Sequence, residues 1–552
     1  MASQLQELKA ALLKHKDCDT HPPLRRSRSP EEAALFWDSF QHCSEGARRN
    51  HLRWMALNDL FFLGVYLLHR VHWIGENPKQ SGLSKEHRQK IALWYHGRCW
   101  EVQDQPNGCI DVWAREHGKS EIISYAKSIQ DILLDPNETI GIFSHTRPLA
   151  KQFLRLIKTE FEINEELKAL FPEILWVDPK RESPKWSVDD GIIVRRTSNI
   201  KESTVESWGL IDGQPTSKRY SILIYDDIVA RDQITEGMIS RCSQELENSF
   251  ALTASDPPIM RMIGTPQEIG DTVTEYMENH KFKLRLHPAV DAQGAPVFFS
   301  EAKLADFKDK MSPKTFALQF LLDPKLAQEA HEIGFESSWW QTYTGELNIR
   351  SLNKYVLVDP AGRRPDSNSL FALWVVGCGA DRKWRIIDGV LDNLSLTQRA
   401  DILFEMVRKY DPLKVIYEQN AFQADIEHIR DRQQRENFLF AIQEVTGRVP
   451  KDQRIERLLP KYRNGEILAP ERLMYRNVDG KEIDIIRRFK EMEYDKWPFN
   501  PKARDQLDAL SRICDEAEMN YVFPRAYGSG DSTGAQWGQN SMYNGGGSWL
   551  SQ

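Results

Sequence analysis

Two groups of residues in this sequence have the types and order that metal-dependent phosphate chemistry requires. The first is Arg115-Glu116-His117-Gly118-Lys119-Ser120, which follows the apolar run Ile110-Asp111-Val112-Trp113 and opens a stretch of helical character. A Gly-Lys-Ser at a strand-to-helix junction turns backbone N–H groups and the positive end of the helix dipole toward a polyphosphate. Lys119 is then expected on the β- and γ-phosphates, with the Ser120 hydroxyl in the shell of a Mg²⁺ ion. The full phosphate-loop pattern begins with a further Gly, and Trp113 stands in its place. Taken alone, the tripeptide also reads as an ordinary helix start with Gly at its cap.

Context decides between these readings. Ile222-Leu223-Ile224-Tyr225 is a second continuous apolar strand, and it ends in Asp226-Asp227. Asp226 suits the metal, held through water, and Asp227 suits the orientation or deprotonation of an attacking water, a task more often given to Glu. A third strand ends in Gly264-Thr265-Pro266, where a hydroxyl can sense the γ-phosphate. Arg115 lies four residues before Lys119 and adds a second positive charge over the phosphates, in the manner of an arginine finger; its plainer alternative is a surface salt bridge. ATP is therefore the expected ligand of residues 115 to 120, Asp226 and Thr265. For the base itself, Gln103 and Gln105 lie upstream as candidates.

The second group is carboxylic. Asp359 follows the strand Tyr355-Val356-Leu357-Val358, Glu418 follows Val415-Ile416-Tyr417, and Asp505 and Asp508 share one helical face at a spacing of three. Acids at element ends, without Cys or His partners, suit the hard cations Mg²⁺ or Mn²⁺. Two such ions activate water and stabilise the leaving oxygen in phosphodiester cleavage. Asp366, at the turn into the next strand, is a further candidate. Each acid singly is more often a solvated or capping residue than a ligand. Their joint order, strand-Asp, meander, helix, strand-Glu, helix-Asp, is the layout of an RNase H-like nuclease or integrase core.

The elements that must position these residues divide the chain. Residues 1 to 50 form a polar region of helix, loop and helix, whose Pro/Arg cluster at 21 to 30 reads as a solvated linker or as a contact for DNA or a partner. From 51 to 325, apolar strands alternate with amphipathic helices, as in a mostly parallel sheet covered on both faces. One such helix runs through Ala150, Phe153, Leu154 and Ile157. A linker spans 326 to 352. From 353 to 525 three strands form an antiparallel meander, followed by a helix near 396 to 410 and a further strand. Residues 526 to 552, rich in Gly, Ser, Asn and Gln, read as disordered. The expected fold class is thus α/β, with a first domain that resembles P-loop NTPase domains and a second that resembles RNase H-like nuclease domains.

Composition narrows the function classes. With 41% hydrophobic and 28% charged residues the chain is globular, and no apolar run reaches the ~20 residues of a membrane span. Leu60 to Leu68 reads as a buried helix. Seven scattered cysteines without a C-x-x-C give neither a zinc site nor a disulfide framework and suit a reducing cytoplasm. A net charge of -7 neither advertises nor excludes a nucleic-acid enzyme, because positive charge can be confined to one groove.

The deviant Arg-x-x-Gly-Lys-Ser loop, the strand ending in Asp226-Asp227, Gly264-Thr265-Pro266 and the later carboxylates, in that order, resemble the large terminase subunits of tailed bacteriophages. Asp505-Gln506-Leu507-Asp508-Ala509 is similar to that family's Asp-Asp-x-x-Asp-Ala signature, with Arg504 replacing the first Asp. The resemblance implies a motor that pumps double-stranded DNA into a prohead and a nuclease that cuts concatemers. It implies a portal protein, a small terminase subunit and a pentameric homo-oligomeric ring as partners. It places the chain in the host cell cytoplasm and transiently on the prohead, but not in the mature virion. By position it makes Lys119 and Ser120 bind ATP and Mg²⁺, Asp226 a metal support, Asp227 the catalytic carboxylate, Thr265 the coupling residue, and Asp359, Glu418 and Asp505 the nuclease ligands; either Asp505 or Asp508 serves as the main third ligand. The rival is a helicase with an accessory nuclease, although the sequence lacks a Gln-x-x-Gly-Arg-x-x-Arg segment.

Overall fold

The computed structural model describes residues 25–76, 83–229, 236–279, 281–345, 347–360, 370–419, 423–446, 449–500 and 503–515. Asp366, the first part of the Pro/Arg cluster and the 526–552 tail lie outside them.

Apolar runs become central strands where helices cover both faces of the sheet. The first sheet holds β1 (Cys109–Trp113), β2 (Ile140–Ser144), β3 (Trp186–Ser187), β4 (Gly191–Ile192), β5 (Val205–Gly209), β6 (Ile222–Asp226), β7 (Ile259–Gly264) and β8 (Lys283–His287). Their order is β3-β4-β5-β2-β6-β7-β1-β8. Neighbours from β5 to β8 run parallel, and β3 and β4 add an antiparallel edge. Every residue of β1, β2 and β6 is buried, as a two-sided strand requires. Helix Arg147–Ile163 follows β2 and buries Ala150, Leu154, Ile157 and Phe161, which share one face.

The second sheet holds β9 (Gln341–Tyr343), β10 (Asn353–Asp359), β11 (Phe371–Cys378), β12 (Trp384–Asp392), β13 (Lys414–Gln419), β14 (Ile442–Thr446) and β15 (Ile467–Pro470), in the order β14-β13-β10-β11-β12-β15-β9. Strands β10, β11 and β12 form the antiparallel meander, and β13 joins β10 in parallel after helix Leu396–Tyr410. The chain is α/β, with a mostly parallel first sheet and a mixed second one.

Three sequence expectations need correction. The helices Pro30–Phe40 and Glu45–Asn58 do not form a separate N-terminal region: Phe36, Phe40 and Leu52 belong to the same apolar core as Ile140 and Ile222. Nor is 25–30 a solvated linker, since Arg26 stacks 4.5 Å from the Trp100 ring and Ser27 donates to Asp59 at 2.6 Å. The 326–352 stretch is more than a connection, because Gln341–Tyr343 pairs with β15 and Phe335 sits in the second core. Short apolar pieces such as Phe335, which is buried, and the partly buried Trp339 and Trp340 carry no periodicity, so their packing is not legible in the sequence. Leu60–Leu67 is buried helix, as expected. Cys99, Cys109, Cys242, Cys378 and Cys514 are free thiols. Among the described residues no helix is long and apolar enough to cross a membrane.

Candidate functional site

The phosphate-loop candidate leaves β1 at Trp113. That side chain is fully buried, its indole N–H donates to Asp111 at 3.1 Å, and it meets the rings of Trp94 and His287. The missing first Gly is thereby explained: at the end of a strand this position turns its side chain into the core. The loop is pinned at its start by backbone bonds from Ala114 to His287 (2.9 Å) and from Arg115 to Gln319 (3.0 Å). His117 packs edge-on to the Phe299 ring, and burial lowers its pKa to about 4, so it is a neutral anchor that bonds the Arg115 carbonyl at 2.8 Å. Glu116 and Gly118 have φ of 62° and 81°. At Gly118 a Cβ would stand 2.6 Å from the Tyr95 ring, so both backbone and space demand glycine there.

Lys119 and Ser120 begin the helix that continues through Glu121–Lys127 and Ser128–Leu134. The first N–H groups of a helix have no acceptor within it, which leaves them to a ligand. Strand β6 lies across from them. Asp226 is fully buried and accepts from Ser120 at 3.0 Å and from Ser124 at 2.5 Å. Burial, and then the neighbouring Asp227 charge, push its pKa up to about 7. Asp227 has φ 49°, which turns its half-exposed carboxylate out of the strand to 3.6 Å from the Lys119 ammonium. Thr265, at the end of β7, donates to the Trp113 carbonyl at 2.8 Å, joining the third strand end to the start of the loop. Hydroxyl, ammonium and two carboxylates converge as a Mg²⁺-nucleotide needs.

Arg115 is placed otherwise than over Lys119: it is exposed and donates to Gln319 at 3.1 Å. Gln103 bonds Leu60 and Asn58, and Gln105 accepts from Lys283, so both glutamines serve the fold.

The second cluster follows from register. Val358 of β10 pairs with Tyr417 of parallel β13, so the next residues, Asp359 and Glu418, stand side by side, about one strand spacing (~4.8 Å) apart. Helix Asp505–Ser511 lays Asp508 over them. Oxygens of Asp359, Glu418 and Asp508 all lie within 4.8 Å of one another, and all three residues are buried. Such an oxygen-only set fits Mg²⁺ or Mn²⁺. Asp505 is set apart from this triad: one oxygen accepts from the Leu370 N–H at 2.9 Å and the other meets Lys451 at 2.7 Å.

Three cations that the sequence did not single out neutralise the cluster. Lys451 lies 3.3 Å from both Asp359 and Asp508. Arg454 grips Asp508 with two bonds of 2.8 and 2.5 Å and pairs with Glu418 at 3.3 Å; Arg512 pairs with Glu418 at 2.7 Å. Burial, and then the surrounding carboxylates, raise Asp359 to about 7 despite Lys451. Burial would also raise Asp508, but Lys451 and Arg454 hold it below the ordinary carboxylate range. Glu493, also missed, accepts the Gln506 and Leu507 N–H groups at 2.9 and 3.0 Å and so caps the helix that carries Asp508. A spacing of three between Lys451 and Arg454 was the available signal. Nothing local tied it to Asp508.

The chain is similar to large terminases. The large terminase of a thermophilic bacteriophage, in complex with ADP, aligns with 75% of this chain and 94% of its own length, at 10% identity and a TM-score of 0.43. The bacteriophage HK97 large terminase aligns over 73% and 90%, at 12% identity and a TM-score of 0.28. The human cytomegalovirus terminase nuclease domain aligns with 34% of this chain and 97% of its own, at 15% identity and a TM-score of 0.27. No protein-family model and no curated protein matches the sequence.

Proposed function

We propose that this chain is the large subunit of a terminase: an ATP-driven motor that moves double-stranded DNA into a prohead, and a nuclease that cuts concatemeric DNA. One observation carries the reading. A single chain sets Lys119 and Ser120 against Asp226-Asp227 on one sheet and buries Asp359, Glu418 and Asp508 together on a second. ATP binding alone fits many proteins, and an acidic cluster alone fits an integrase. Their union in one chain, in the order that resembles large terminases, fits a motor with its own cutter.

In the first site Ser120 and Asp226 would hold Mg²⁺, Lys119 would neutralise the transferred phosphate, and Asp227 would orient the attacking water. Thr265, bonded to the loop at Trp113, reports loss of the γ-phosphate. In the second, Asp359, Glu418 and Asp508 would hold Mg²⁺ or Mn²⁺, and the chemistry such an ion would supply there is activation of water for phosphodiester cleavage. Lys451 orders Asp359, Asp505 and Asp508 and limits their mutual repulsion. Asp505 is a supporting residue in this scheme, and Arg115 acts on the nucleotide only after leaving Gln319. The reading includes a portal protein, a small terminase subunit and a pentameric ring, working in the host cytoplasm on the prohead.

Paired variants test it. Lys119→Ala should abolish ATP hydrolysis while Mn²⁺-dependent DNA cutting persists, and Asp359→Ala should do the reverse. Cutting unchanged in Asp359→Ala would refute the nuclease site. Unwinding of a forked substrate without packaging would favour a helicase instead.

A further inference from the structure

The helix that holds the nuclease carboxylates has a second face on the first domain. In Lys451–Glu456, Lys451 and Arg454 reach Asp359, Glu418, Asp505 and Asp508. From its other side Glu456 pairs with Lys314 at 3.0 Å, and the Gln453 amide donates to Glu268 at 3.3 Å. Lys314 also pairs with Glu268 at 2.5 Å. This ammonium therefore sits between two carboxylates, one from each domain, and is itself buried.

Glu268 is not a remote residue. It lies three positions past Thr265, and the adjacent Gln267 amide donates to the Thr265 carbonyl at 2.8 Å. Gln267 accepts from Gln319 at 3.1 Å, and Gln319 accepts from Arg115 at 3.1 Å. Direct contacts thus run unbroken from the phosphate loop to the nuclease carboxylates. A cleft of about 1440 Å³ between the domains is lined by Gln267, Glu268, Lys314, Gln453 and Glu456 together with Leu318.

We propose that Lys314 and Glu268, residues of the ATPase domain, are positioning residues for the nuclease. They fix helix Lys451–Glu456, and so set how firmly Lys451 and Arg454 occupy the carboxylates to which a divalent cation binds. The inference rests on the nuclease reading above. Six residues make under two helical turns, too short to hold their own conformation, so partners on each face decide where the helix sits. Lys451 and a divalent cation compete for the same oxygens. Without the Lys314 ammonium, Glu268 and Glu456 face each other with only the Gln453 amide on Glu268 and His331, 3.3 Å from Glu456, as partners, and their repulsion pushes the helix from the ATPase domain. Its grip on the carboxylates then changes through contacts made entirely elsewhere.

The test is calorimetric titration of Mn²⁺ into the full chain without nucleotide, following the binding component that Asp359→Asn removes. Lys314→Met should tighten that component about 5-fold or more. Lys314→Arg should restore the parent affinity, because a cation again lies between the two acids. If Lys314→Met does not fold, Glu456→Gln, which removes the anchor from the helix side, should tighten binding in the same direction. Parent-like or weaker Mn²⁺ affinity in the folded variants would overturn the inference and leave the nuclease reading intact. A parent chain with no component sensitive to Asp359→Asn would instead overturn that reading, and this inference with it.

Discussion

Gly118→Ala is the sharpest test of the phosphate loop, because the cost can be worked from two separate facts. The residue has φ 81°, a region in which an L side chain loses roughly 1–2 kcal/mol. Its new Cβ would also stand 2.6 Å from Cε1 and 2.7 Å from Oη of Tyr95. Tyr95 cannot swing away: it is buried, stacked 4.9 Å from the Trp73 ring, and meets Phe298 edge-on. Overpacking of this kind costs about 1–3 kcal/mol. A combined penalty near ~3 kcal/mol corresponds to a loss of about two decades in affinity if it is expressed as a displaced loop. Calorimetric titration of ADP, with thermal unfolding alongside, reads either outcome as a raised Kd or a lowered Tm. The double variant Gly118→Ala/Tyr95→Leu removes the overlap but not the dihedral cost, and should recover roughly half of the loss. A Gly118→Ala chain with parental Kd and parental Tm would refute the geometry assigned to the loop.

Other outcomes follow from the carboxylates and caps. Asp359, raised to about 7, must lose its proton to bind a metal, so Mn²⁺ affinity should rise about tenfold per pH unit below 7 and level off above it. In the metal-free chain, between an unfolded pKa of roughly 4 and the folded value of about 7 the native state holds more protons at Asp359 than the unfolded state does. Its contribution to stability is therefore lost as pH rises through that window, and Asp359→Asn should flatten the fall in Tm between pH 5 and 7.5 relative to the parent. Glu493→Leu leaves the Gln506 and Leu507 N–H groups without their buried acceptor; urea unfolding should show a loss of about 1–3 kcal/mol, and an unchanged midpoint would argue against the cap. Thr265→Val should retain ADP affinity within a few-fold while slowing ATP turnover, since it removes only the hydroxyl bonded to Trp113; full turnover would deny Thr265 its coupling role.

What was legible in the sequence was whatever a local pattern encodes. Continuous apolar runs marked β1, β2, β6, β7 and β10, and the structure brings together residues at or just past the ends of β1, β6 and β7, and Asp359 at the end of β10 with Glu418 of β13. The spacing of three that joins Asp505 to Asp508 placed both on one helix, but could not say which would face Asp359. In the fold one Asp505 oxygen is taken by the Leu370 N–H, while Asp508 lies over the strand ends beside Asp359 and Glu418. Arg115 illustrates the same limit: its partner Gln319 is 204 residues away. Lys451, Arg454 and Arg512 were invisible for a related reason, since a surface-like Lys or Arg becomes a site residue only when the fold buries carboxylates beside it. Trp113 misled in the opposite sense. It breaks the phosphate-loop pattern on paper, yet in the fold its side chain is in the core and the loop is undisturbed.

The central claim is that the two sites serve one machine, and a translocation assay tests it most directly. Purified chain, proheads and linear double-stranded DNA are mixed with ATP, and DNA protected from added nuclease is measured. The parent chain and Asp359→Ala should both protect DNA in an ATP-dependent manner, and Lys119→Ala should protect none. Protection by Lys119→Ala equal to that of the parent, or no ATP-dependent protection by the parent itself, would contradict the account.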